Sequence, residues 1–173
     1  MSDIDALRAL VTDAFDRVEE LVDGITADLT PQMATYRPDP GANSIAWLVW
    51  HATRVQDDHM AELAKVDQVW PQWRERFGLP FDDNATGYGH GPEQVGQVQV
   101  AGDLLAGYHR EVQALTRDYV GALTEQELGR VVDTNWDPPV TASVRLISVI
   151  GDITQHLGQA YYVQGLAERA GVQ

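Results

Sequence analysis

The sequence predicts an all-α protein, a four-helix bundle with a long loop between its second and third helices. Three observations carry this prediction. Four stretches repeat apolar residues at three- and four-residue steps, the period of an amphipathic helix. No stretch alternates convincingly as a strand would, and four long amphipathic helices bury their stripes most simply against one another. The length of 173 residues suits one domain spanning residues 1–173, large enough to bury roughly 70 % of the surface its unfolded chain exposes.

The first helix is expected from Asp3 to about Ala27, with Ile4, Leu7, Leu10, Val11, Ala14, Phe15, Val18 and Leu21 on its apolar side. A loop with Pro31, Pro38, Pro40 and Gly41 interrupts the pattern. Ser44 then stands where a hydroxyl caps a second helix, which runs through Ile45, Leu48, Val49, Ala52, Val55 and Met60 and contains His51. From about Val66 to Gly96 periodicity gives way to Pro71, Pro80, Pro92 and five glycines, and a stretch of this length reads as a lid or binding loop. A third helix is expected from about Val98 to Ala122, followed by a short turn over Leu123 to Leu128. The last helix, about Ala142 to Leu166, takes Val144, Ile147, Ile150, Ile153, Leu157 and Tyr161 as its core stripe. No repeat or second domain is visible.

Composition removes several function classes. Without cysteine the chain can form no disulfide, thiolate zinc site or iron–sulfur cluster, and a sulfur nucleophile must arrive as substrate. A net charge of −14, with Lys65 the only lysine, repels phosphate backbones, so nucleic acid is not an expected partner. The N-terminal stretch is acidic and amphipathic, and no apolar run approaches the roughly 20 residues that span a bilayer. A soluble, cytoplasmic protein without a membrane partner is expected.

Asp152 and His156 stand four residues apart in the last helix, which puts their side chains on one face with Cβ atoms roughly 5–6 Å apart. His51, beside the apolar stripe of Leu48 and Val55, can point inward from a facing helix. Two imidazoles and a carboxylate can hold a divalent ion and leave a position open, as catalytic zinc sites do, and the same trio also suits Fe(II). Spacing alone also describes an exposed helix pair and a core histidine. His59, after Asp57 and Asp58, is a rival ligand expected to be solvated. His90 lies in a Gly-rich loop, His109 beside Arg110 and Glu111 reads as surface, and neither is expected to ligate.

Trp47-Leu48-Val49-Trp50-His51, the Phe77-Gly78-Leu79-Pro80 and Thr86-Gly87-Tyr88-Gly89-His90 segments, and Asp152-Ile153-Thr154-Gln155-His156-Leu157-Gly158-Gln159 resemble the DinB-like superfamily over nearly the whole chain. The closest resemblance is to the branch of mycothiol S-transferases and mycothiol-dependent maleylpyruvate isomerase. Its metal pattern, a helix-two histidine plus acid-x-x-x-His in the last helix, matches His51, Asp152 and His156. The acid in that branch is often glutamate, so the shorter Asp152 is a departure that bears on the metal or its coordination.

The resemblance implies an enzyme that binds a low-molecular-weight thiol, mycothiol above all, at zinc or another divalent ion. A coordinated thiol with an ordinary pKa of about 8.5 loses its proton and attacks an electrophile, a chemistry suited to detoxification. Gln155 and Gln159 beside His156, and Arg54 and Arg145 on the ligand-bearing helices, are candidates to bind the cofactor or orient a ligand. Trp47, Trp50, Tyr88 and Trp136 are candidates to line the pocket, with Tyr88 to His90 as a lid. Two other functions fit the same trio: a metal-dependent hydrolase or Fe(II) enzyme, and a non-catalytic metal- or ligand-binding stress protein. DinB-like bundles often pair, so a homodimer is possible.

Overall fold

The computed structural model describes residues 2–173, and among them helices dominate. Four long helices form the frame: α1 (Asp3–Thr26), α3 (Ile45–Ala64), α6 (Gly102–Gly121) and α8 (Ala142–Arg169). They pack in a ring, α1 against α6, α6 against α3, α3 against α8 and α8 against α1. No described helix is long and apolar enough to cross a membrane.

Side-chain caps fix where three of these helices begin, α1, α3 and α8. The Ser2 hydroxyl accepts from the Asp5 amide, Ser44 from the Trp47 amide and Thr141 from the Val144 amide, satisfying donors that a helix start leaves unpaired. The core is continuous through the ring, with Phe15, Val18 and Ile25 of α1, Leu48, Val49 and Trp50 of α3, Leu105, Tyr108 and Val112 of α6, and Val149, Ile153 and Leu157 of α8 all at most 1 % exposed.

The connections hold more structure than the sequence pattern suggests. Helix α2 (Pro31–Thr35) occupies the first loop. The stretch read as one long loop contains α4 (Trp70–Phe77) and α5 (Pro92–Gln97), leaving 66–69 and 78–91 as the irregular parts. Trp70, Trp73 and Phe77 anchor α4 in the core, and Gly78, at φ 58°, ends it. Trp70, Trp73 and Phe77 stand at i, i+3 and i+7, but Pro71, Gln72 and three charged residues fill the rest of this short segment, so tertiary packing decides this helix. The turn after α6 is α7 (Glu125–Leu128). A two-stranded antiparallel pair, β1 (Val131–Asp133) and β2 (Val140–Thr141), precedes α8, where no strand was expected.

The stripe expected for the last helix is rotated from the observed one. Val144 and Ile147 are 54 % and 68 % exposed, and Tyr161 also faces outward. The buried face runs through Ala142, Leu146, Val149, Ile153, Leu157, Ala160 and Val163. Apolar residues surround most of this helix, and the alanines on the true core face carry little hydrophobic signal. Leu10, placed on the first helix's apolar side, is likewise exposed.

Candidate metal centre

Helices α3 and α8 face each other along the bundle, and their inward faces carry His51, Asp152 and His156. One potential ligand atom from each lies within 4.8 Å of the others. The His156 Nε2 stands 3.7 Å from Asp152 Oδ1, and the two imidazole rings meet edge to face with centroids 4.7 Å apart. Three groups drawn from positions 51, 152 and 156 thus converge on one point, as a shared divalent ion requires.

His51 is the most constrained of the three. It is 7 % exposed, and its Nδ1–H donates to the Thr86 carbonyl at 2.6 Å. That bond fixes the tautomer and leaves Nε2 with its lone pair free to ligate, the orienting role that carbonyls commonly play toward metal-binding histidines. Burial lowers the pKa of His51, and neighbouring His156 acts in the same direction, against the hydrogen bond that His51 donates to Thr86. The ring is therefore held neutral, as a ligand must be. Trp47 stacks on it with centroids 4.7 Å apart and meets His156 edge-on at 6.3 Å.

The segment supplying Thr86 is pressed against this ring. A Cβ on Gly87, whose φ is +96°, would stand 2.8 Å from His51 Nδ1 and 3.0 Å from a Trp50 ring carbon. Only glycine fits both the backbone and the space. His90 packs on Trp50 and Phe81 and accepts from Trp47 Nε1 at 3.3 Å, so it braces the loop and is not part of the converging trio.

Two polar atoms of the trio, Asp152 Oδ2 and His156 Nδ1, are buried and have no hydrogen-bond partner in the protein. Buried polar atoms are almost always partnered, so a carboxylate oxygen and an imidazole nitrogen left open on two residues of the converging trio fit a cation site. The donor set of two nitrogens and one oxygen fits zinc or a related divalent ion.

A cavity of about 330 Å³ opens from His51 and Asp152 and continues between α3 and α8 past Val55 and Val149 to Asp58, His59 and Ser148, under Thr86 and Tyr88. His59, expected to be solvated, is half-buried on this wall, and its pKa is lowered by burial first and then by Arg145. Tyr88 lines the cavity with a largely exposed ring.

Other sequence candidates sit elsewhere. Arg54 is fully buried and faces the core instead of the cavity: it pairs with Asp57 at 3.4 Å, donates to Gln68 and Tyr108, and its Nε donates to the Ala85 carbonyl. It thus supports the loop that holds His51. Arg145 is engaged with Asp133 at 3.2 Å. Gln155 and Gln159 are exposed, and Gln155 Nε2 donates to the Gly151 carbonyl of its own helix. Trp50 is core, and Trp136 is 67 % exposed, away from the cavity. His109, read as surface, is 2 % exposed; the Thr53 hydroxyl donates to Val49, so His109 Nδ1–H donates to Thr53 Oγ1. The adjacent Arg110 and Glu111 face solvent and disguised it.

A family model described as Mycothiol-S-transferase matches residues 6–167. The chain belongs to the mycothiol S-transferase family. A solved structure described as the conserved protein of locus from Enterococcus faecalis is similar to it, with 36 % identity, a TM-score of 0.83, and 90 % of this chain and 94 % of that one covered. No curated protein matches the chain. The all-α, DinB-like architecture of the mycothiol S-transferase family is therefore shared over almost the full length, with the trio of His51, Asp152 and His156 inside the matched span.

Proposed function

We propose that this mycothiol S-transferase family member is a divalent-metal-dependent thiol S-transferase, using zinc and mycothiol to modify small electrophiles in a detoxifying role. The observation that carries the reading is the convergence of two imidazoles and a carboxylate, two of their atoms open, at the mouth of a cavity of about 330 Å³. A dication bound there lowers the pKa of a coordinated thiol enough for it to be a thiolate at neutral pH.

The chain's own residues do the rest. His51, Asp152 and His156 would hold the ion, and the Thr86 carbonyl keeps His51 in the tautomer that can ligate. Trp47 shields one face of His51 from solvent. Val55 and Val149 give the cavity apolar walls between its polar ends, and Tyr88 stands at the rim, free to move over a bound ligand. The absence of cysteine leaves no protein thiol to compete for metal or electrophile.

The test is isothermal titration of mycothiol into metal-free and zinc-loaded protein, beside His156→Ala. The expected result is thiol binding that needs zinc and disappears in the variant. Stoichiometric zinc binding without thiol affinity would overturn the transferase reading and favour metal-dependent hydrolysis or a structural metal.

A further inference from the structure

The cavity continues beyond the metal trio. His51 and His59 are eight residues apart on α3, which at 1.5 Å per residue separates the two ends of the groove by roughly 12 Å. The far end is walled by Asp58 and His59 of α3 and by Ser148 of α8. His59 Nδ1 is buried there without a hydrogen-bond partner, its nearest carboxylates, on Asp58 and Glu62, both standing at 3.9 Å. Asp58 Oδ1 is held by Gln68 Nε2 at 2.7 Å, which fixes the carboxylate and leaves Oδ2 available.

These groups specify what they can receive. A carboxylate only accepts, so the ligand group opposite Asp58 must donate; an imidazole and a serine hydroxyl each both donate and accept. A hydroxyl answers all three. A carboxylate or phosphate on the ligand donates nothing to Asp58 and meets the negative charges of Asp58, Glu62 and Asp152, while the nearest guanidinium, Arg145, is engaged by Asp133.

We propose that Asp58, His59 and Ser148 form a second recognition point that binds hydroxyl groups of the thiol co-substrate about one groove length from its sulfur. This rests on the thiol-transferase reading above and assigns the specificity of that same site. The thiol class is then a hydroxyl-bearing one, and Asp58, His59 and Ser148 discriminate it from small thiols that reach only the metal.

Zinc-loaded protein is titrated with mycothiol, a hydroxyl-rich thiol, and with N-acetylcysteamine, an uncharged thiol without hydroxyls, in the wild type, Asp58→Asn, His59→Phe and Ser148→Ala. Each variant is expected to weaken mycothiol about tenfold, the loss typical of a hydrogen bond to a charged or polar partner. N-acetylcysteamine and zinc affinities are expected to stay unchanged, which also reports an intact fold and metal centre. An unchanged ratio of the two thiol affinities across the three variants, or equal affinities in the wild type, would overturn the assignment and leave the transferase reading standing. Failure of the zinc-loaded wild type to bind either thiol would remove the transferase reading and this inference with it.

Discussion

Replacing Asp57 with alanine removes the anion from a buried hub and so tests how the loop over His51, Asp152 and His156 is supported. The Asp57 carboxylate is fully buried and accepts from Val69 N at 2.9 Å, Trp70 N at 2.8 Å and Tyr108 Oη at 2.7 Å, with Arg54 at 3.4 Å. Asp57→Ala leaves the Arg54 guanidinium buried and unpaired, which costs about 3–5 kcal/mol. In a chain of this length 1 kcal/mol moves Tm by about 2–4 °C, so 4 kcal/mol corresponds to a fall of roughly 8–16 °C. Thermal and urea unfolding followed by far-ultraviolet circular dichroism reads this directly. The double variant Arg54→Met/Asp57→Leu is expected to recover part of the loss, since an apolar pair replaces the lone charge. Recovery stays incomplete because the two amides at the start of α4 and the Tyr108 hydroxyl remain without acceptors. A fall of under 3 °C in Asp57→Ala would refute the hub. A double variant no more stable than the single one would assign the loss to the amide donors and not to the stranded cation.

Three further outcomes follow from the geometry. Burial drives His109 down to about 4, with Arg110 and Arg117 acting in the same direction, so the unfolded chain binds the extra proton between about pH 6.5 and 4 and stability falls as pH drops through that window; the loss from pH 7.5 to 4.5 is about 2–3 kcal/mol, and urea unfolding of His109→Gln should lack that part of the slope. Gly87→Ala forces a Cβ to 2.8 Å from His51 Nδ1 at a φ of +96°, so calorimetric zinc affinity should fall about tenfold or more and Tm by a few degrees, and wild-type values for both would contradict the cradle described here. Zinc at a hundred times its Kd should raise stability by about 2.7 kcal/mol, and the same zinc should leave the melting curve of His156→Ala unmoved.

The frame was legible because it rests on period. The four long helices follow from apolar spacing and from Ser44, whose hydroxyl caps α3 as its position suggests. Where tertiary packing decides, the sequence is silent: α4 folds because Trp70, Trp73 and Phe77 find a core to enter, and β1 and β2 form because two short segments meet before α8. Spacing showed the trio as an i, i+4 pair and one distant histidine, and the family resemblance alone joined the three; their meeting point depends on how α3 and α8 face each other, which no local spacing encodes. Arg54 misled for the same reason, since a helix position three residues from His51 gives no sign that Asp57 and Tyr108 wait inside. The Thr86 carbonyl was invisible because backbone acceptors carry no residue signature. His59 was hidden by the acids around it, and its place in the cavity wall emerges only when Ser148 of the opposing helix is set beside it.

The stacking of Trp47 on His51 makes the centre its own optical probe. An indole 4.7 Å from one ligand ring and 6.3 Å from another changes its emission when those rings take up a cation. Trp50, Trp70 and Trp73 are sealed in the core, and Trp136 emits from solvent, so a Trp47→Phe protein supplies the blank. If the proposed centre binds metal and thiol, occupancy is then followed in real time without a label, whichever is added first.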